Sequence, residues 1–255
     1  MQGSILAGKV VGAGLPMRQS IVKEARDMND PHDPAPVNPL PPVVVVLFFV
    51  IAIPEAAFSL GARGLIGGAD AVGWRLSAVQ SYGFNGDIVD WMIANWRFPP
   101  EHVVRCVTYL FVNSSFTASL FAIVLMLALG KLVGEAMGQL AVIILFMGGG
   151  AFGALVFALL LNDPSWLVGG MPGVFALIGG YSFLLWQSLA VRGQQQLQAF
   201  NLIAILMGLQ LIWGVFFGAT TLWVADLAGF AFGFSASIML MPGGLARVLY
   251  YLRRD

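Results

Sequence analysis

The sequence predicts an all-α integral membrane protein, a bundle of six transmembrane helices with a long first loop, and three observations predict it. Of 255 residues, 58% are hydrophobic and only 10% are charged, with a mean hydropathy of +0.84. Ordinary soluble domains carry about 25% charged residues. The apolar residues gather into six runs, 41–62, 107–129, 139–161, 168–190, 199–218 and 221–240. These approach the ~20 residues a helix needs to cross a ~30 Å hydrocarbon core at ~1.5 Å per residue. Runs of alternating polarity about ten residues long, which mark a membrane β-barrel, are absent from the sequence.

The chain divides into a polar, Pro-rich N-terminal tail over 1–40, a membrane domain over 41–241 and a short basic tail over 242–255. Residues 28–42, MNDPHDPAPVNPLPP, read as an extended approach to the bilayer. Residues 1–27 hold a weakly apolar stretch, SILAGKVVGAGLPM, which is either a small helix or a segment not translated in the cell, with Met28 as the start. The mostly polar tail does not read as a signal peptide.

The first span carries Glu55 about fourteen residues from its start, in AIPEAAF. An ionisable group at that depth is expensive and often functional. Glu55, and Asp226 nearer the surface in the sixth span, each read either as a polar contact for a client, a proton or an ion, or as a carboxyl that is protonated or capped by backbone, with Pro54 freeing a carbonyl one turn back as a partner for Glu55. The loop that follows, residues 63–106, holds VGWRLSAVQSYGF and DIVDWMIANWRFPP, with Trp74, Trp91 and Trp96 among Ile88, Val89, Met92 and Ile93. Amphipathic aromatic segments settle at the membrane interface, so two short interfacial helices are expected, with a folded extramembrane cap as the alternative.

The later spans differ in texture. The fourth is marked by Gly169, Gly170, Gly173, Gly179 and Gly180, and the sixth by Gly229 and Gly233 in a G-x-x-x-G. Small residues let helix backbones approach where lipid supplies no hydrophobic force between them. A G-x-x-x-G alone is weak, because chance matches in apolar segments are common. The fifth span carries Asn201 and Gln210, which read as buried packing groups or as hydrogen-bonding contacts for a guest helix.

Net charge is zero, so nothing points to nucleic acid, and the position of the positive charges becomes the useful quantity. With six spans, one side holds Lys9, Arg18, Lys23, Arg26, Lys131, Arg192, Arg247, Arg253 and Arg254, against Arg63, Arg75, Arg97 and Arg105 on the other. This predicts cytoplasmic termini in a membrane of the bacterial inner-membrane type. Cys106 is the single cysteine and the histidines are His32 and His102, too few for an internal disulfide or a cysteine or histidine metal site. No cofactor is expected.

Two motifs carry a family resemblance. Gly170-Met171-Pro172-Gly173, followed by VFALIGGY, and Ala225-Asp226-Leu227-Ala228-Gly229-Phe230-Ala231-Phe232-Gly233 resemble the fourth and sixth spans of the rhomboid intramembrane serine proteases. In that family the first motif holds the nucleophilic serine and the second a histidine. Arg105-Cys106-Val107-Thr108 resembles the start of the family's second span, and LALGKLVGEAMG (127–138) resembles its end. The family's oxyanion-binding histidine and asparagine fall on Ala118 and Ala122. The resemblance covers about residues 41–241 and implies the rhomboid fold.

Chemistry weighs against the family's activity. Amide hydrolysis needs an activated hydroxyl, a base within reach and donors for the oxyanion. Pro172 offers neither hydroxyl nor backbone N–H, Asp226 has no serine to activate, and Ala118 and Ala122 donate nothing. Ser165, Ser182 and Ser188 have no histidine near them in sequence. Pseudoproteases of this fold, such as iRhoms and Derlins, bind transmembrane segments of other proteins. The resemblance therefore implies a membrane-protein client, met through a lateral opening near the second and fifth spans. The alternatives are an intramembrane serine-type endopeptidase and a structural subunit of a larger membrane complex. A small transporter would show internal repeats or paired broken helices, and neither is visible.

Overall fold

The structure, a computed structural model, describes residues 39–161, 164–217 and 220–241. The expectations for residues 1–38 and for the 242–255 tail lie outside them. Helices dominate the described residues, and the one β-type pairing among them is an isolated antiparallel bridge between Phe84 and Leu167.

Helix α1 (Pro42–Ala62) starts on Pro42, whose missing N–H is harmless in a first helical turn. Pro54 lies inside it. After a 3₁₀ turn at Ala69–Gly73 come α2 (Trp74–Tyr82) and α3 (Gly86–Asn95), two short helices in the places where the sequence put two. Asn85 caps α3 by accepting the Asp87 N–H at 2.8 Å. Val89 and Met92 are buried on its inner side while Trp91 and Ile93 are exposed, the division of an amphipathic helix.

A third short helix was not foreseen. Pro99 and Pro100 start α4 (Pro100–Thr108), which takes the residues assigned from sequence to the start of the second span. The chain then makes a 3₁₀ turn at Tyr109–Phe111 and leaves helical geometry at Val112. The second long helix, α5 (Phe116–Met137), begins only where Ser115 Oγ accepts the Ala118 N–H at 3.2 Å. The expected span 107–129 is thus shifted by about two and a half turns. The apolar stretch Val107–Val112 imitates a span, but Asn113, Ser114 and Ser115 compete for backbone hydrogen bonds and set a helix start.

Gly138, at φ 91°, turns the chain back without a Cβ penalty into α6 (Gln139–Leu160). A π-helical segment, Ile144–Gly148, interrupts this helix. Helix α7 (Met171–Val191) follows, then a 3₁₀ turn at Gln196–Phe200, α8 (Asn201–Phe217) and α9 (Trp223–Leu240). Among the described residues five helices, α1, α5, α6, α7 and α9, are long and apolar enough to cross a membrane. The expected fifth span appears as α8, a helix of 17 residues that falls short of the other five.

Helix α7 is the centre of the molecule. Val174, Phe175, Ala176, Leu177 and Ile178 are wholly buried, and α5, α6 and α9 pack around them. The closest seam is with α9. A methyl on Gly229 would overlap the carbonyl of Pro172, one on Gly233 the carbonyl of Ala176, and one on Gly179 the carbonyl of Phe230. On its other side Gly173 lies against the carbonyl and ring of Phe146, within the π-helical segment of α6.

Candidate functional site

The starts of α7 and α9 meet at the end of the bundle nearest α2 and α3. Gly169, at φ 105°, brings the chain into α7 in a conformation that suits glycine, and its N–H donates to Tyr109 O at 2.9 Å. Gly170 N–H donates to Asn113 Oδ1 at 3.4 Å. Pro172 occupies the first turn of α7, is buried, and turns its carbonyl toward Gly229 of α9. Its Cβ also faces Gly153 of α6, where the Ala225 carbonyl arrives from α9. Asp226 is the next residue, so the two positions singled out by motif occupy adjoining first turns.

Asp226 is 5% exposed, and its Oδ2 accepts a hydrogen bond from Gln210 Nε2 at 2.8 Å. Gln210 and Asp226, separate candidates in the sequence, are therefore partners across the α8–α9 seam. Asn201, the third polar candidate of that region, is exposed at the first residue of α8 and is not a buried packing group. Ala122 is wholly buried beneath the loop before α7, where a Cβ on Gly170 would come 3.9 Å from its own. Ala118 lies one turn nearer the start of α5 and is half-buried. Neither alanine offers a side-chain donor. Ser182, inside α7, is wholly buried with a hydroxyl lacking a partner among the described residues. His102 sits in α4 with its ring edge-on to Trp91, centroids 6.2 Å apart. Among the described residues no three His, Cys, Asp or Glu side chains gather where a metal ion would be held.

Glu55 differs from its expectation. Backbone capping inside α1 is not what satisfies it. Its carboxylate accepts from Arg75 Nη1 at 2.9 Å and Nη2 at 2.5 Å, from Ser59 Oγ at 2.8 Å and from Ser119 Oγ at 2.6 Å. The forked guanidinium matches a carboxylate with two parallel donors, the strongest geometry for such a pair. Arg75 Nη1 also donates to Asn113 O at 2.8 Å, and the guanidinium carbon lies 5.4 Å from the Phe58 ring centre. A polar chain thus runs from α1 through α2 to Asn113, whose side chain meets the Gly170 N–H at the start of α7. Arg75, Ser119 and Asn113 were not singled out from sequence. The usable signal was Glu55 itself, because a carboxyl in a span needs a partner, and Arg75 is a basic residue in the loop that follows it.

The segment between α1 and α5 is fastened at a second place. Phe84 and Leu167 exchange backbone hydrogen bonds of 3.1 and 2.9 Å, and Asn85 Nδ2 donates to Pro164 O at 3.1 Å. Arg105 lies in α4, away from α5, with Nη1 donating to Gly83 O at 3.5 Å. The model of the Rhomboid domain matches residues 100–243, from the start of α4 to beyond α9. The chain belongs to the rhomboid family. Comparison with curated proteins gives no match. The match to the rhomboid domain includes Pro172, Asp226, Ala118, Ala122 and Gln210, while α1 and α2, which carry the Glu55–Arg75 pair, precede it. As a rhomboid, the protein is a multi-pass integral membrane protein whose environment is the lipid bilayer.

Proposed function

We propose that this rhomboid binds transmembrane segments of client membrane proteins without cleaving them, a pseudoprotease with both termini cytoplasmic in an inner membrane of bacterial type. One observation carries the reading: the nucleophile position of the family's motif is Pro172, buried in the first turn of α7 with no hydroxyl and no N–H. Asp226, at the base position, is engaged by Gln210, and Ala122, beneath the loop before α7, has no side-chain donor of its own. Nucleophile and base act as a unit, so losing both removes the family's catalysis by many powers of ten. The helical frame that would receive a guest segment remains in place.

The test uses purified full-length protein in lipid vesicles with a transmembrane substrate carrying a photo-reactive residue. The expected outcome is crosslinking to the intact segment and no cleavage product, for the protein and for Pro172→Ala alike. A cleavage product from the unaltered protein, whether or not Pro172→Ala retains it, would establish the endopeptidase reading instead. Copurification from gently solubilised membranes separates the third reading, since a structural subunit copurifies at fixed stoichiometry and a client does not.

A further inference from the structure

Among the described residues two carboxylic side chains are buried within helices long and apolar enough to cross a membrane, Glu55 and Asp226, and their surroundings differ in kind. Glu55 is met by a guanidinium and two hydroxyls. Asp226 is met by one neutral amide, Gln210 Nε2. The other end of that amide, Gln210 Oε1, is buried with no donor among the described residues. The α8–α9 seam therefore presents carboxylate oxygens and an amide oxygen against a single side-chain NH₂ group, an excess of side-chain acceptors over donors.

The seam also lies at the edge of the bundle. Leu209, Leu211 and Ile212 on α8 and Trp223 and Leu227 on α9 are exposed apolar side chains in the sequence around the pair, so a lipid-facing apolar surface adjoins it. Gln210 is seven residues from the end of α8 and Asp226 three from the start of α9. At ~1.5 Å per residue both lie about 5–10 Å inside the same end of the bundle.

We propose that the Asp226–Gln210 seam receives a lysine or arginine side chain from a partner's transmembrane segment, placed one to two turns inside the end of that segment. This rests on the client-binding reading and names the chemistry of the client. A cationic head supplies what the seam lacks: charge for Asp226, and enough N–H donors to reach Gln210 Oε1 as well. A hydroxyl brings one donor and no charge. The long stem of lysine or arginine suits a site one to two turns below the interface, because its methylenes lie along apolar surface while its head reaches the polar group. Charge complementarity thus selects among apolar segments that would otherwise pack alike.

The experiment uses full-length protein in phosphatidylcholine vesicles and fluorescent 23-residue Leu/Ala transmembrane peptides, with binding read by energy transfer. Three peptides differ at one position, two turns from one end: Leu, Lys or Glu. The protein should bind the Lys peptide at least tenfold more tightly than the Leu peptide, and the Glu peptide no more tightly. Asp226→Asn, nearly the same shape, should bring binding of the Lys and Leu peptides to within twofold of each other. Gln210→Leu should retain the preference for Lys. Equal binding of Lys and Leu peptides by the unaltered protein overturns the inference and leaves the client-binding reading standing. Binding of no peptide overturns both. The comparison within the unaltered protein decides the matter even where a variant fails to fold.

Discussion

The Glu55–Arg75 pair allows a test in which the sign of the result, beyond its size, is fixed by the structure. Glu55 and Arg75 side chains are 6% and 22% exposed, joined by two hydrogen bonds, with a third from Arg75 to Asn113 O. Removing one partner of a buried pair costs about 3–5 kcal/mol, because the other charge is left uncompensated. Arg75→Met strips Glu55 of its cation but leaves the Ser59 and Ser119 hydroxyls in place, so the lower end applies, about 3 kcal/mol. Glu55→Gln leaves a partly exposed arginine with a stem long enough to turn its head outward, which reduces the loss to about 2 kcal/mol. In the double variant neither group is an unpaired charge. Its loss should be about 2–3 kcal/mol, less than the summed singles by about 2–3 kcal/mol of coupling. Reversible unfolding in bicelles by steric trapping measures all four corners of the cycle. If the two single losses add to within about 0.5 kcal/mol, Glu55 and Arg75 are not coupled, and the guanidinium is not what holds the Glu55 carboxylate in the bundle.

Further outcomes follow from particular side chains. Gly233→Ala places a methyl on the Ala176 carbonyl in the wholly buried α7–α9 seam, and by the same unfolding measurement it should destabilise by about 3 kcal/mol. Gly208→Ala, in α8 where a Cβ meets nothing within 4 Å, should be neutral or stabilising by up to about 1 kcal/mol. Cys106, half-buried in α4, has its thiol pKa pushed up by desolvation. Only the thiolate reacts, so maleimide labelling at pH 7 should be slower than for an exposed thiol and should rise with pH beyond the range where an ordinary thiol has levelled off.

Much of the fold was readable from length and apolarity, because a span in lipid must satisfy its own backbone and so declares itself as a long unbroken run. The first, third, fourth and sixth runs lie within a few residues of α1, α6, α7 and α9. The second did not, and the reason is local. Val107–Val112 is as apolar as a span, yet Pro99 and Pro100 fix a helix start before it and Ser115 fixes another after it. Caps and prolines outweighed hydropathy there. The positions of Pro172 and Asp226 were legible from motif alone, whereas their surroundings were not. Gln210 reaches Asp226 from 16 residues away, and Arg75 reaches Glu55 from 20. Both pairings depend on how helices pack, which hydropathy does not encode. Asn113 is the clearest omission, since an asparagine after YLFV in a supposed span gave no sign that it would join Arg75 to the start of α7.

The seam between α7 and α9 explains how a motif keeps its outline after losing the residues that give it chemistry. Gly229 faces the Pro172 carbonyl, Gly233 the Ala176 carbonyl one turn on, and Gly179 the Phe230 carbonyl between α9's two glycines. Each contact is made by backbone, and each depends on a missing Cβ on the opposite helix, so the seam is indifferent to the side chain at 172 or 226 provided it fits. Proline fits at 172 because a first-turn N–H has no intrahelical partner to lose. Aspartate fits at 226 because Gln210 supplies a hydrogen bond at 2.8 Å. A substitution at Gly233, by contrast, would push the helices apart along their whole contact. Packing therefore constrains the glycines and leaves the two positions between them open to change, and chemistry at this site can be lost or replaced without disturbing the fold that surrounds it.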